Sequence, residues 1–388
     1  MDSLRGKAAI AGVGELKPER FTEEVTTPQL VVDAGLRAIE DAGIAYDEID
    51  GLLVHSMAGT TMFVPATFAE MLGLHVRFAE VVDLGGATGA GMAWRAAAAI
   101  ASGLCTTCLC LTGARRSKRR SGWSGPPERT AYSEFEVPYG AIGANYGYAQ
   151  IAMRYMYEYK LLPEQLAKIA VQQRDNACAN PNAIFYGQPI TIDDVLSSPV
   201  IVDPLHMLEI VMPVGGAAAF VVTDAARAAS LPNRPAYILG AGEYLGHKTL
   251  TYADSLTDTP ARPAADRAFE TSGVTRDRIG LASVYDCYTI TVLVTLEDAG
   301  FCAKGEGGAF VDDHDLRYNG TFPVNTHGGQ LSYGQAGIAG GTSHLTEAVR
   351  QIQQRAGDRQ VRDLEFAFVN GNGGTMSEQV ALILGTNP

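Results

Sequence analysis

The sequence predicts an α/β protein built from two similar halves in a layered body. The chain has 388 residues, more than one ordinary hydrophobic core serves. Its 46% hydrophobic residues, 19% charged residues and 43 glycines are typical of a compact enzyme with tight turns. Two distant segments also repeat the same order of helix, connector and strand, which indicates an internal duplication.

The first part of the repeat is an amphipathic helix that ends at a glycine and leads into an apolar strand. In the first half this helix is predicted at 31–43 and the strand at 51–55. In the second half the helix is predicted at 264–270 and the strand at 281–285.

The second part of the repeat is a strand, a pair of glycines, a helix and another strand. Its members are 80–83, Gly85-Gly86, 92–102 and 108–112 in the first half, and 323–325, Gly328-Gly329, 341–354 and 366–370 in the second half. Parallel strands need helical crossovers over their faces, so each half is expected to be a helix-covered sheet. Packing of the two halves then gives an α/β/α/β/α body.

The repeat divides the chain into three predicted parts. The N-terminal half takes residues 1–113 together with 214–232, and the C-terminal half takes 233–388. Residues 114–213 are rich in tyrosine and proline and are predicted to form an inserted helical lobe over a cleft.

Charge and cysteine usage argue against several classes of function. The net charge of −13 opposes binding to nucleic acid and to anionic membrane surfaces, since both carry negative phosphates. No segment reaches the ~18 uninterrupted apolar residues that a membrane-spanning helix needs. The six cysteines lack the spacing of zinc sites or of secreted disulfide domains. Reduced thiols, a cytoplasmic location and no metal in this chain are therefore expected.

The turn at Gly85 and Gly86 carries no nucleophile. A strand that enters a helix through a glycine turn is where α/β enzymes often place a reactive serine or cysteine. Here the position holds glycine.

In the order of its motifs the chain resembles the thiolase superfamily, specifically its lipid-transfer-protein or sterol-carrier branch. The motifs are Gly85-Gly86, Tyr285-Asp286-Cys287-Tyr288, Asn325-Thr326-His327-Gly328-Gly329 and Asn370-Gly371-Asn372-Gly373-Gly374. The resemblance covers nearly the whole chain. It implies the thiolase fold, in which two duplicated βαβαβαββ halves form a five-layer αβαβα body with an inserted helical loop domain.

The chain departs from this family at the positions that perform thiolysis. Gly86 stands where the resemblance implies a nucleophilic cysteine, Gln335 replaces the activating histidine, and no cysteine surrounds Gly371. Tyr285 stands where this branch usually has histidine. The pattern resembles the thiolase-like aldolases that shorten steroid side chains. That resemblance implies a homodimer joined by a DUF35-type partner with an OB fold and a zinc ribbon, the zinc belonging to the partner.

Retro-aldol cleavage of a β-hydroxyacyl-CoA needs proton transfer but no covalent nucleophile. Tyr285 is the first candidate for this transfer, because ligands meet parallel sheets at the carboxyl ends of their strands. A free phenol titrates near ~10, so it needs an imidazole or a cation nearby to act as a base. His247 and His327 are the candidate partners. Asp286 points to the other side of an extended strand and is expected to support the site.

Alternatives for the proton-transfer role are Tyr244, Tyr288 and Tyr333. Core packing is an equal explanation for any one tyrosine, and a hydrogen-bonded loop position is the more common role for a histidine. The missing side chain at Gly86 is expected to leave the helix N-terminus as an oxyanion site and to widen the pocket for a branched substrate. The predicted substrate-binding residues around it are Gly85, Gly86, Tyr288, Gln335 and Gly371.

A positive cluster follows the strand at 108–112. Arg115 and Arg119 belong to it, and arginine forks suit the phosphates of CoA, whose nucleotide the inserted lobe grips in thiolase relatives. Solvated loop charge or a subunit contact explains the cluster equally well.

The sequence therefore predicts an aldolase that cleaves a β-hydroxyacyl-CoA, with a steroid side chain as the expected acyl group. CoA enters as part of the substrate, and no covalently bound cofactor is expected. Two alternatives remain open. One is a β-ketoacyl-CoA thiolase or acyltransferase that uses an unaligned cysteine such as Cys287, and the other is a non-catalytic subunit that binds lipid or acyl-CoA.

Overall fold

A computed structural model describes residues 4–57, 63–118 and 129–388. The first half begins with β1 (Ala8–Glu15), α1 (Thr27–Ala42), β2 (Gly51–Val54), α2 (Val64–Leu72), β3 (Phe78–Val81), α3 (Thr88–Ala101) and β4 (Thr107–Ala114). The predicted insert contains α4 (Ala144–Tyr159), α5 (Pro163–Cys178), α6 (Ile192–Ser197), β5 (Val200–Val202) and β6 (Leu205–His206).

The chain then returns to the first half and continues into the second. These elements are β7 (Gly216–Asp224), α7 (Ala225–Ala229), β8 (Ala236–Leu245), α8 (Ala261–Ser272), β9 (Ile279–Val284), α9 (Thr289–Asp298), α10 (Gly307–Asp313), α11 (Gly329–Ser332), α12 (Ala339–Ile352), β10 (Phe366–Gly373) and β11 (Glu378–Gly385). The domain boundaries proposed from the sequence stay a prediction.

The two halves share one strand order. It is β2-β4-β7-β1 in the first half and β9-β10-β11-β8 in the second, with β3 outside β2. In each half the first pair is parallel and the following pairs are antiparallel. The internal duplication predicted from the sequence is confirmed.

Two details differ from the prediction. The halves are not separate sheets, because β1 and β8 pair through Ala9–Tyr237 and Ile10–Ala236 and join the halves into one nine-stranded sheet. This pairing satisfies main-chain groups that would otherwise lie on two open edges. The predicted strand at 323–325 is a single bridge, in which Val324 pairs in parallel with Ala282.

The helices form the layers that the repeat predicts. A buried cluster places Met92 of α3 and Leu345 of α12 between the two halves of the sheet. A second cluster packs Ile39 of α1 on the outer face of the first half, and a third packs Phe269 of α8 on the outer face of the second. The five-layer arrangement of the thiolase fold is confirmed.

Local sequence explains why the repeated helices begin and end where they do. Thr26 and Gln29 form a capping box before α1, in which each side chain satisfies a free main-chain N–H. The helix ends at Gly43 with φ 66°, and its counterpart α8 ends at Gly273 with φ 67°. Only glycine takes this left-handed conformation without strain, so the two helices share one stop signal.

No helix among the described residues is long and apolar enough to cross a membrane. The six cysteines are all free thiols. Cys105, predicted to be a strand residue, lies in the loop before β4, and it is buried like Cys108 and Cys110 within that strand.

Candidate active site

The glycine turn at residues 85–87 holds the N-terminus of α3 against the last loop of the chain. Thr88 Oγ1 accepts from the main-chain N–H of Leu84 at 3.1 Å and donates to the carbonyl of Gly85 at 2.6 Å. Gly85 has φ 55°, and a Cβ on it would lie 3.1 Å from Cα of Gly373. Glycine is needed here both for the turn and for the close approach of the loop.

Tyr285 occupies the space of a side chain at residue 86. A Cβ built on Gly86 would overlap the ring atoms Cε2, Cζ and Oη of Tyr285. A cysteine at position 86 and the present position of Tyr285 therefore exclude each other. This corrects the expectation that the missing side chain widens the pocket, because the phenol ring fills that volume.

Gln335 donates from Nε2 to Oη of Tyr285 at 3.1 Å. Burial raises the pKa of Tyr285 above its usual range, Cys287 and Asp286 add to the rise, and hydrogen bonds from Gln335 and Gln330 oppose it. The group is therefore a neutral phenol at neutral pH. Because its oxygen accepts from Gln335, its O–H remains available to a bound substrate.

Cys287 lies in the same buried region. Its Sγ is 3.9 Å from Nδ2 of Asn372, which also donates to Oη of Tyr148 at 2.9 Å. Burial raises the pKa of the Cys287 thiol to about 12. The thiolate is the nucleophilic form of cysteine, so this thiol is poorly suited to attack at neutral pH.

The inserted segment supplies a tyrosine to the site. Tyr148 of α4 stacks on Tyr288 with 4.3 Å between ring centroids, and its hydroxyl donates to the carbonyl of Gly374 at 2.6 Å. Tyr288 Oη donates to Oδ1 of Asn145, also on α4, at 2.5 Å. The predicted residue Tyr288 is thus held between α4 and the start of α9.

Asp286 is fully buried, and its carboxylate contacts α11 and α12. Its carboxylate accepts from the main-chain N–H groups of Gln330 at 2.7 Å and Leu331 at 3.2 Å. Nε2 of His344 lies 2.9 Å from the same carboxylate. The ring of His344 is 6.1 Å from the ring of Tyr285, centroid to centroid.

Comparison with known proteins identifies this arrangement. A family model described as thiolase C-terminal domain-like matches residues 242–386. A steroid side-chain-cleaving aldolase of Thermomonospora curvata is 35% identical over 368 residues, covering 91% of this chain and 92% of that protein. The chain belongs to the thiolase superfamily.

Two further relatives place the chain in the lipid-transfer-protein and sterol-carrier branch of this superfamily. A 17-hydroxy-3-oxo-4-pregnene-20-carboxyl-CoA lyase of Mycobacterium tuberculosis is 33% identical over 365 residues, covering 90% of this chain and 92% of that protein. The solved structure of an Ltp2-ChsH2(DUF35) aldolase superposes with a TM-score of 0.89 at 33% identity and covers 98% of both chains. The chain is an aldolase of the thiolase superfamily.

Two predicted residues of this thiolase-fold aldolase, His327 and Tyr333, lie together in the interior. The His327 ring is 5.1 Å from the rings of both Tyr333 and His344, and its Nε2 is 3.4 Å from Oγ of Ser343. Burial and the neighbouring His344 hold the pKa of His327 well below its usual range. Burial and the Glu15 carboxylate hold the pKa of Tyr333 well above its usual range. The ring of His327 thus contacts the rings of Tyr333 and His344. The catalytic roles of His327 and Tyr333 stay predictions.

His247 and Tyr244 make other contacts, with residues near the C-terminus of the chain. Nε2 of His247 lies 3.2 Å from the carbonyl of Thr375, and burial lowers the pKa of this imidazole. Tyr244 is half exposed on β8, opposite Gln379 of β11. Among the described contacts, the imidazole packed on Tyr285 is that of His344, where the sequence had predicted His247 or His327.

The remaining predicted residues lie at the edge of the site or beyond it. A Cβ on Gly371 would be 2.7 Å from Cα of Ala87, so this glycine permits the last loop to pack on the turn. Arg115 lies 3.9 Å from the Glu23 carboxylate and donates its main-chain N–H to Thr27. Arg119 lies outside the described residues. Over the described ranges, no cluster of three or more His, Cys, Asp or Glu side chains could hold a metal ion.

Sequence reasoning missed four contributors to the site: Tyr148, Gln330, His344 and Asn372. Asn372 lies inside a recognised glycine motif and Gln330 directly follows another, so their polar side chains beside glycine turns were an available signal. Tyr148 lies in the tyrosine-rich segment predicted to form the lobe, where composition does not single out one tyrosine. His344 lies within α12, where nothing local distinguishes it from a packed histidine.

Proposed function

We propose that this aldolase cleaves the side chain of a steroid β-hydroxyacyl-CoA, with Tyr285 as its proton-transfer residue. The observation that carries the proposal is that the phenol of Tyr285 fills the space that a side chain at Gly86 would need. Gly86 is the position at which the resemblance implies the thiolase nucleophile. The steroid substrate rests on the names of the two aldolase and lyase relatives. The products are a carbonyl compound and a shorter acyl-CoA.

Tyr285 begins and ends the proposed reaction as a neutral phenol, the form that its raised pKa favours. As the bond between the α- and β-carbons breaks, its O–H proton passes to the α-carbon. The proton of the substrate β-hydroxyl replaces it on the phenol oxygen, and the β-carbon becomes a carbonyl. The electron pair of the broken bond stays with the α-carbon, so atoms and charges balance.

The developing enolate needs stabilisation at its thioester oxygen. The N-terminus of α3, at Thr88, ends in the glycine turn next to Tyr285 and carries partial positive charge. Main-chain N–H groups of this turn, at Gly85 and Gly86, are the proposed donors to that oxygen. Gln335 keeps the phenol oriented through its hydrogen bond to Oη.

CoA is proposed to enter as part of the substrate, with no covalently bound cofactor in this chain. The cationic segment that begins at Arg115 is the proposed contact for its phosphates. A DUF35-type protein is the proposed partner, because the superposed aldolase structure carries that name, and any zinc would belong to it. The edge strand β3 leaves Val81 40% exposed, which supports pairing of two copies into a homodimer.

The test is to co-express the chain with a DUF35-type protein and to supply a steroid side-chain β-hydroxyacyl-CoA. We expect release of a steroid carbonyl product and a shorter acyl-CoA, measured by mass spectrometry. Tyr285→Phe should slow the release of both products by roughly 100-fold or more. Tyr157→Phe, at an exposed position of α4, is the matched control and should leave turnover unchanged.

Alkylation of thiols separates this proposal from the thiolase alternative. The aldolase should keep its activity with a thiol reagent, because Cys287 is buried and its thiol pKa is raised to about 12. Loss of all turnover together with a label on Cys287, or thiolysis of a β-ketoacyl-CoA, would contradict the proposal. Binding of acyl-CoA without any cleavage would instead identify a non-catalytic subunit.

A further inference from the structure

A buried carboxylate and imidazole lie directly behind Tyr285. Asp286 and His344 are both fully buried, with 2.9 Å between the carboxylate and Nε2 of the imidazole. This contact fixes the ring tautomer, since Nε2 must carry the proton that the carboxylate accepts. Among the described residues Nδ1 of His344 finds no hydrogen-bond partner, and the polar contacts given for this ring are made by Nε2.

The pair connects three elements that surround Tyr285. Asp286 follows Tyr285 in the chain, and its carboxylate also accepts from the main-chain N–H groups at the start of α11. The main-chain carbonyl of His344 accepts from Oγ of Ser283 on β9 at 2.9 Å. The end of β9, the turn at α11 and the helix α12 are therefore tied to one carboxylate and one imidazole.

The same helix also touches the ring of Tyr285 near the glycine turn. A Cβ on Gly341 would lie 3.2 Å from Cε2 of Tyr285 and would overlap the carbonyl oxygen of Gly86. His344 follows one turn later on α12. The helix α12 thus packs Gly341 against the ring of Tyr285 and places the imidazole of His344 against Asp286, the next residue in the chain.

The main chain of Gln330, beside the site, depends on the same carboxylate. The side chain of Gln330 packs against α12, with Oε1 beside Gly340 and its amide group 3.3 Å from Nε2 of His344, whose proton is already donated to Asp286. Its main-chain N–H is held by Asp286. Displacement of Asp286 would therefore move Tyr285 and Gln330 together.

We propose that His344 is a positioning residue of this aldolase. Through its Nε2–H bond to Asp286 it holds the phenol of Tyr285 in the space above Gly86, where Gln335 can donate to it. The proposal rests on the proposed function for its kinetic effect, but the position of the ring can be measured without any substrate.

The test compares His344→Gln with His344→Leu in the intact complex. Glutamine places an amide N–H near the position of Nε2, whereas leucine keeps bulk but offers no donor. We expect kcat of His344→Leu to fall by roughly tenfold or more with little change in KM, because a hydrogen bond to a charged group is lost. His344→Gln should stay within roughly threefold of the wild type. His75→Gln, at an exposed histidine, is the control and should change neither parameter.

Crystal structures of the same variants give a readout that needs no activity. Oη of Tyr285 should remain within hydrogen-bonding distance of Gln335 in His344→Gln and should leave it in His344→Leu. If His344→Leu does not fold, Asp286→Asn is tested in its place, because asparagine keeps the volume of the aspartate and removes the charge of the acceptor. The inference is overturned if the phenol stays in place and kcat is unchanged in His344→Leu or Asp286→Asn. It is also overturned if His344→Gln folds but loses as much kcat as His344→Leu. If the wild type cleaves no substrate, the proposed function fails while the structures still decide the role of His344.

Discussion

The two halves share a fold but differ in the residue that follows their second strand. His55 follows β2 and Tyr285 follows β9, at equivalent points of the repeat. Both ring nitrogens of His55 are taken by the main chain: Nδ1 lies 2.5 Å from the carbonyl of Ser56, and Nε2 accepts from the N–H of Gly113 at 3.0 Å. Tyr285 instead turns its hydroxyl to side chains and to the glycine turn. The repeat supplies one scaffold twice, but of these two equivalent residues Tyr285 is the one that presents its polar group to the site.

The largest effect should come from Tyr285→Phe. Removal of one hydroxyl takes away the proposed proton-transfer group and leaves the ring that packs on Gly86. We expect kcat to fall by roughly 100-fold or more, the usual contribution of a positioned acid or base. A steady-state assay of carbonyl release, with the melting temperature as a control for folding, measures it. A variant that keeps its kcat would place the chemistry on another residue.

Gly86→Ala should be the next most damaging change. The added methyl group would overlap the Tyr285 ring, so the ring must move, at a cost of about 1–3 kcal/mol for overpacking. Stability is measured by urea unfolding and turnover by the same assay. In the double variant with Tyr285→Ala the loss of stability should be smaller than the sum of the two single losses, because the two positions share one volume. Additive losses in the double variant would show that the two residues do not compete.

Gln335→Ala should have a smaller effect on turnover. It removes the donor to the phenol oxygen, and a single hydrogen bond is worth about 0.5–1.5 kcal/mol, so kcat should fall by up to roughly tenfold. Stability should change little, since the glutamine lies at the rim of the buried region. The comparison of kcat with the free energy of unfolding distinguishes the two effects. A larger loss of stability than of kcat would assign Gln335 to packing.

His55→Leu should have the smallest effect on kcat and a clear effect on stability. It leaves the main-chain N–H of Gly113 without its acceptor, which costs about 1–3 kcal/mol for a buried group. Urea unfolding measures the loss at neutral pH. A strong fall in kcat without a loss of stability would contradict the contrast between the two halves.

The same histidine predicts a dependence of stability on pH. Burial lowers the pKa of His55 in the folded chain below its ordinary value of 6.5. Below pH 6.5 the unfolded chain therefore binds a proton that the folded chain does not, and the free energy of unfolding falls as the pH drops through the folded pKa. The stability of His55→Leu should fall less steeply over this range. An equal slope in both proteins would assign the acid sensitivity to other groups, such as His327.

The sequence by itself determined the duplication and the chemistry that is missing. The helices predicted at 31–43 and 264–270 correspond to Thr27–Ala42 and Ala261–Ser272, because hydrophobic period and glycine stops are local signals. The replacement of the thiolase groups by Gly86, Tyr285 and Gln335 could likewise be read along the chain, since the motifs around them fix the alignment. Even the polar residues Asn372, within a recognised motif, and Gln330, directly after one, could be found along the chain.

The tertiary structure decided which of these residues meet. The overlap of Tyr285 with the space of a side chain at Gly86 joins two distant segments, and it depends on how β9 and α12 pack against the turn before α3. His344 is a polar residue within a buried helix, and only the approach of Asp286 gives it a partner. His247, by contrast, contacts the carbonyl of Thr375 because its loop packs on the last turn of the chain. Hydrophobic period is set by neighbours in sequence, whereas a contact between side chains is set by the packing of layers, which no local pattern encodes.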